Sequence, residues 1–277
     1  MESLFYRSLG LELSGPRTQR TTIAVIDHYP QSQRLVLRDL VTPEVGSDDP
    51  DQAIKVGMEA LAHDQRHYTG CAVHAPLSLP PALEAKKKIL SSSQVAKNPE
   101  VKWMDEMWKK IKDRPGPFVP YLHRPAEVWL RYKAVERFGD VMSFATTGAA
   151  LAARMQYLQH QLPGPLNEVF PRAVLKRLAE SLGIRNFVHK KYSDLEHGIT
   201  AREEFLIQLG MKMPQLFLYD KDVEKMILGV NFFNAFLCAL MQHLIYRGEF
   251  EDRPKGYPSA ATWIYIPRIH TNWDKVF

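Results

Sequence analysis

The sequence predicts an α/β protein with a mixed five-stranded sheet flanked by helices, and three observations lead to this prediction. Three β-rich segments, residues 4–14, 21–30 and 34–43, open the chain with short polar, Gly or Pro separators. A helical pattern follows them, and then a nearly all-apolar segment, residues 70–81. Most of the later chain shows apolar residues at helical spacing. This order favours one sheet with helices on both faces.

The first three segments predict an antiparallel meander, because short connections join neighbouring strands that run in opposite directions. Residues 47–64 then predict a helix, in which Ile54, Met58 and Leu61 form an apolar stripe. The segment GCAVHAPLSLPP (70–81) has the composition of a central strand that is buried on both faces and parallel to a neighbour.

Residues 82–125 interrupt this rhythm, and we interpret them as an insertion in a single domain that covers residues 1–277. Lysines, among them Lys109 and Lys110, alternate there with Trp103 and Trp108. One interpretation is a basic and aromatic surface for nucleic acid. The other is a solvated face whose two tryptophans anchor the insertion to the core, which is the commoner use of short lysine runs.

The second half supplies the fifth strand and most of the helices. Residues 166–183 predict a short strand and then a helix that begins at Pro171. Residues 219–248 predict a long helix that is interrupted near Gly229 and contains the apolar segment VNFFNAFLCAL. A buried asparagine needs hydrogen-bond partners, so Asn234 within this segment is expected to hold a special position. Asn231 is expected at the surface.

Composition bounds the class of protein. The net charge of +5 over 277 residues is compatible with a polyanionic partner but does not require one. Cys71 and Cys238 lie in apolar runs and predict buried free thiols of a reducing compartment. Residues 1–7 lack a signal-peptide pattern and the longest apolar run is broken by polar residues, so we expect a cytoplasmic protein without a membrane span. Phosphate-loop and dinucleotide fingerprints are absent from the sequence, which argues against NTPases, kinases and Rossmann oxidoreductases.

Four stretches resemble, in the same order, the family of predicted RNase H-like nucleases. They are GLEL (10–13), HAPLSLP (74–80), NEVFPRAVLKRLA (167–179), and NAFLCAL (234–240) with the tail RPKGYPSAATWIYIP. The segment PYLHRPAEVWLR (120–131) is similar to the family's Arg-x-x-Glu segment. The resemblance implies an RNase H-like fold and metal-dependent phosphodiester hydrolysis, in which converging carboxylates hold Mg²⁺ or Mn²⁺.

The resemblance also implies four site residues, and two of them depart from the family. Glu12 takes the acidic position of the first strand, and Glu168 retains the acid of the Glu-Val-aromatic-Pro motif. His74 and Asn234 stand at positions where the family carries aspartate. We expect the loss of two carboxylates to weaken the binding of a hard ion such as Mg²⁺ sharply.

Two states of this site stay open from the sequence. A single softer metal could be held by Glu12, His74 and Glu168. Alternatively, His74 and Asn234 form hydrogen bonds with each other or with Glu12 and fill a site that has lost its metal. The first state fits a nuclease, and the second fits a non-catalytic module that binds a nucleic acid or a protein partner. Self-association is also left open.

Two basic regions are the candidate contacts with nucleic acid. Arg17 and Arg20 belong to the polar segment GPRTQR beside the expected mouth of the site, where they could steer a phosphate. Lys109 and Lys110 of the insertion are the second pair.

Overall fold

Seven strands form one mixed sheet in the computed structural model, which describes residues 4–15, 20–43, 50–62, 67–84, 92–112, 114, 116–138, 144, 148–184 and 191–277. The strands are β1 (Tyr6–Glu12), β2 (Thr22–Tyr29), β3 (Arg34–Val41), β4 (Tyr68–Val73), β5 (Leu166–Val169), β6 (Leu216–Phe217) and β7 (Ile264–Tyr265). Their order across the sheet is β6-β3-β2-β1-β4-β5-β7.

The α/β class and the mixed sheet are confirmed, with an antiparallel β1–β2–β3 meander. β4 pairs parallel with β1, and β5 pairs parallel with β4, as expected for a buried central strand. The sheet has seven strands and not the five predicted. β6 joins the outer edge of β3, and β7 lies beyond β5. β6 is only two residues long, which is too short for an alternating pattern to reveal, whereas β7 lies within the segment ATWIYIPR (261–268) that the sequence predicts as a last strand.

The helices described are α1 (Pro50–Leu61), α2 (Pro81–Glu84), α3 (Ser92–Val95), α4 (Pro99–Lys109), α5 (Pro125–Phe138), α6 (Ala149–Leu158), α7 (Pro171–Ser181), α8 (Gly198–Lys212), α9 (Asp220–Leu228), α10 (Val230–Tyr246) and α11 (Trp273–Val276). The predicted interruption near Gly229 is present, since α9 ends just before this residue and α10 begins just after it.

Helix α10 lies against β1 at very close range. A Cβ atom at Gly10 would lie 2.2 Å from both the backbone oxygen of Ala235 and the backbone nitrogen of Ala239. Only glycine leaves room for this approach, because real Cβ atoms do not come within 3.0 Å of backbone atoms. Gly10 therefore determines how deeply α10 sits on the sheet.

Helix α1 covers the other face of the sheet. A Cβ atom at Gly57 of α1 would lie 3.6 Å from Cδ1 of Ile23, which is ordinary contact. Ile23 pairs with Leu11, one position away from Gly10. Since successive side chains of a strand point to opposite faces, α1 and α10 lie on opposite faces.

No single helix of the described ranges is long and apolar enough to cross a membrane. Helices α9 and α10 together reach the necessary length and composition, but they are bent by 117° at their junction. Most of α10 is buried inside the protein.

The chain divides into two compact units. The first comprises residues 1–74, 158–251 and 265–277, and it contains most of the sheet with α10. The second comprises residues 75–157 and 252–264, so the predicted insertion at 82–125 is part of a longer compact segment.

The two tryptophans of the insertion are packing residues within the second unit. Trp108 is 2% exposed, its ring lies 4.6 Å from that of His123, and its Nε1 donates to the backbone oxygen of Gly116. Trp103 packs edge-on against Tyr257. A base cannot stack on a ring that is already covered, so Trp108 is unavailable for the stacking that the nucleic-acid interpretation requires.

Candidate functional site

The carboxyl ends of β1 and β4 bring Glu12 and His74 side by side. Glu12 is the last residue of β1, and His74 directly follows β4. The backbone N–H of His74 donates to the oxygen of Leu11 at 2.9 Å, which continues the parallel ladder by one step. Because neighbouring residues of parallel strands point to the same face, the two side chains meet.

Both carboxylate oxygens of Glu12 accept hydrogen bonds. Nδ1 of His74 lies 2.7 Å from Oε2, and Nδ2 of Asn234 donates to Oε1 at 3.2 Å. The three residues are 8%, 8% and 6% exposed, in the order Glu12, His74, Asn234. We refer to them as the Glu12 cluster. A carboxylate accepts and does not donate, so the imidazole carries its hydrogen on Nδ1.

Two outer atoms of the Glu12 cluster are buried without a partner among the described residues, namely Nε2 of His74 and Oδ1 of Asn234. An amide oxygen accepts hydrogen bonds, and the Glu12 carboxylate is an acceptor too. The cluster thus offers acceptors at its outer side, which suits a water molecule or a cationic donor and disfavours a phosphate.

The close packing of α10 on Gly10 positions Asn234 beside Glu12. Ala235, the next residue, touches the backbone at Gly10, two positions before Glu12. The apolar faces of α10 are buried in the main hydrophobic core, which includes Phe233, Phe236 and Leu240. The cost of burying the Asn234 amide is offset in part by its bond to Glu12.

Glu168 is separated from the other three predicted site residues. It pairs with Val73, which in turn pairs with Leu11, so these three side chains share one face of the sheet. Glu12 and His74 are each one position further along and point to the opposite face. Glu168 is 4% exposed and does not join the Glu12 cluster.

The predicted ligand set of Glu12, His74 and Glu168 would therefore have to reach across the sheet. The described residues contain no group of three or more His, Cys, Asp or Glu side chains arranged to hold a metal ion. The four-residue convergence predicted from the sequence reduces to three residues, and the strand register is the reason.

Sequence reasoning placed neither Tyr192 nor Cys238 near Glu12, although the prediction that Cys238 is a buried free thiol is confirmed. Burial raises the pKa of the Tyr192 phenol, and the charge of Glu12 raises it further, whereas Arg172 lowers it. Burial also raises the pKa of the Cys238 thiol, again with a contribution from Glu12. Both groups are thus neutral neighbours of the carboxylate. The spacing of Cys238 from Asn234, one helical turn, is the signal that could have revealed it.

The candidate nucleic-acid residues lie in different parts of the chain. Arg17 falls outside the described residues, and Arg20 is exposed in the first unit, where its backbone oxygen accepts a bond from Asn231. Lys109 and Lys110 are exposed in the second unit. Lys109 forms an ion pair with Asp105 on its own helix at 2.6 Å. The nucleic-acid role of these residues stays a prediction.

Comparisons with protein-family models, with curated proteins and with solved structures gave no match to this chain. The relation to RNase H-like nucleases therefore rests on the motifs in the sequence.

Proposed function

We propose that this chain is an RNase H-like protein in which the Glu12 cluster replaces a metal-binding acidic centre, and that it serves as a binding module without metal-dependent phosphodiester hydrolysis. The directions of the strands support the RNase H-like part, since three antiparallel strands are followed by two strands parallel to β1. The position of Asn234 on a late core helix, beside the end of β1, supports it too.

One observation supports the proposal that this chain lacks metal-dependent hydrolysis. Both carboxylate oxygens of Glu12 are already hydrogen-bonded, one to His74 and one to Asn234. A hard ion such as Mg²⁺ prefers several anionic oxygen ligands. To bind here, it would have to displace two buried hydrogen bonds and would meet a single carboxylate. The atoms Nε2 and Oδ1, which have no partner among the described residues, carry no negative charge and replace little of what the two aspartates would supply.

The alternative function is that of a metal-dependent nuclease of the predicted family. A binding module and a nuclease differ in their response to Mg²⁺ and Mn²⁺. We expect millimolar concentrations of either ion to leave the thermal midpoint of the wild-type protein unchanged, because a ligand stabilises only the state that it binds. A panel of DNA and RNA substrates should remain uncleaved. A rise in the midpoint together with cleavage would contradict the proposal.

The double variant His74→Asp with Asn234→Asp should reverse this behaviour. Two new carboxylates beside Glu12 should lower the free energy of unfolding at neutral pH by about 3 kcal/mol, the scale of repulsion between close like charges. Mn²⁺ or Mg²⁺ should restore much of the loss, and the thermal midpoint measured with and without the ion reports both effects.

Asn231→Asp is the matched control on the same helix. Its half-buried amide lies in the first turn of α10 and donates to the backbone oxygen of the exposed Arg20, and a negative charge there is favoured by the helix dipole. We expect no metal response from this variant. A metal response equal to that of the double variant, or none from either, would show that positions 74 and 234 do not form a shared site with Glu12.

A further inference from the structure

Two buried histidines hold the segment Trp273–Phe277, which contains α11. His28 of β2 and His243 of α10 have no exposed surface, and their ring centroids lie 4.9 Å apart. Nε2 of His28 lies 3.0 Å from the backbone oxygen of Phe277, and Nε2 of His243 lies 2.8 Å from that of Val276. Each Nε2 therefore carries a hydrogen and donates it.

A second proton on either ring would sit on Nδ1, where no acceptor lies among the described residues. The Nδ1 atoms of both histidines are buried without a partner in the described part of the chain. No Asp or Glu in the same ranges lies at ion-pair distance from either ring. The groups that face the rings are Tyr6 of β1, Tyr246 at the end of α10, the cation Arg247 directly after it, and the carboxyl group of Phe277, the last residue of the sequence, to which Nε2 of His28 donates. Burial without an acceptor at Nδ1 disfavours a second proton on both rings, and the bond to Phe277 opposes this at His28.

The two histidine rings bind protons more weakly when the segment is docked than when it is released. Burial lowers the pKa of His243 to about 3, an effect that His28 and Arg247 strengthen and the bond to Val276 opposes. Burial likewise lowers the pKa of His28. Once the segment has left, both rings gain access to water and return towards an ordinary pKa of about 6.5. The released state then binds more protons, so docking is fully stable above about pH 6.5 and weakens as the pH falls below it.

We propose that His28 and His243 form an acid-sensitive latch that releases the segment Trp273–Phe277 from the core. Two further bonds hold this segment at neutral pH: Arg247 donates through Nε to the oxygen of Lys275, and the N–H of Asn272 donates to Oε2 of Glu249 at 2.9 Å. Trp273, Asp274 and Phe277 also form one wall of a cavity of about 250 Å³. Release takes these three residues out of the lining of this pocket, which is already partly open to solvent.

Hydrogen exchange measured by NMR between about pH 4.5 and pH 7 tests the latch. The amides of Asn272 and Lys275 report the segment, since each is hydrogen-bonded in the docked state. After correction for intrinsic exchange, their opening constant should rise about tenfold per pH unit for each histidine that titrates. Leu9 and Val25, paired in the sheet, should show no such rise. A flat profile for the segment, or an equal rise in the sheet, would overturn the latch.

The double variant His28→Gln with His243→Gln isolates the cause, because a glutamine amide donates to a carbonyl but does not titrate. It should lose the pH slope, and each single variant should retain about half of it on a logarithmic scale. Glu249→Gln is the control for the side-chain carboxylate that accepts from Asn272 directly before the segment, and it should keep the slope. A slope that persists without both histidines, or that disappears in Glu249→Gln, would overturn the proposal. If the double variant fails to fold, the single variants and the wild-type profile decide.

Discussion

Replacing Gly10 with alanine is expected to lower the free energy of unfolding by about 3 kcal/mol or more, the upper range for overpacking a core. The added Cβ would lie 2.2 Å from two backbone atoms of α10. Backbone of a helix cannot turn aside as a flexible side chain can, so α10 must move away from β1 along its length. Urea unfolding followed by circular dichroism measures the loss.

The same displacement should disturb the Glu12 cluster, because Asn234 precedes one of the two residues that touch Gly10. Gly57→Ala is the matched control: its new Cβ would meet only ordinary contacts, at 3.6 Å or more, in the interior of α1. There alanine is the better helix former, and we expect a gain of about 0.5 to 1 kcal/mol. If both variants have the same stability as the wild type, the close contact of α10 with β1 does not exist.

Removing the carboxylate of Glu127 should have the second large effect, a loss of about 3 to 5 kcal/mol, because it takes a closely bonded negative charge away from a buried guanidinium. Arg124 and Glu127 are 1% and 3% exposed at their side chains, and Nε of Arg124 donates to Oε1 at 2.8 Å. Glu127 also accepts from the backbone N–H groups of Arg124 and Phe144. Among the contacts described, Glu127→Ala therefore breaks one ion pair and two bonds to backbone N–H groups together.

Asp105→Ala provides the control in the same compact unit. It removes the ion pair of Asp105 with Lys109, whose side chains are 40% and 64% exposed. An exposed pair contributes little, so the expected change stays within about 0.5 kcal/mol. Thermal unfolding of both variants makes the comparison. A loss for Glu127→Ala no larger than that for Asp105→Ala would mean that the charges at 124 and 127 are solvated in solution.

The local pattern of apolar and polar residues was sufficient to predict the four central strands of the sheet, β1 to β4. Strands β1 to β4 each have a continuous β-rich segment, and the short connections determine their directions. Once β1 and β4 are parallel neighbours, Glu12 and His74 must end at the same edge. Asn234 could be placed only through the resemblance to a family, since nothing local connects residue 234 with residue 12.

Other features depend on distances that the sequence does not contain. The separation of Glu168 from the Glu12 cluster depends on a register shift of one residue, which reverses the face to which a side chain points. The partners of His28 and His243 lie in the segment Trp273–Phe277. His28 and its partner Phe277 are 249 positions apart in the sequence. Such contacts arise from tertiary packing, and the periodicity of apolar residues in the sequence does not predict them.

The protonation of the His74 ring tests the central claim most directly, because the claim is that Glu12 is engaged by His74 and Asn234 and not by a metal ion. ¹⁵N-edited NMR of the imidazole distinguishes its two tautomers at neutral pH. We predict a hydrogen on Nδ1 and ring nitrogen shifts that do not change when millimolar Mg²⁺ is added. A hydrogen on Nε2 with Nδ1 bare, or ring shifts that move with Mg²⁺, would contradict this account.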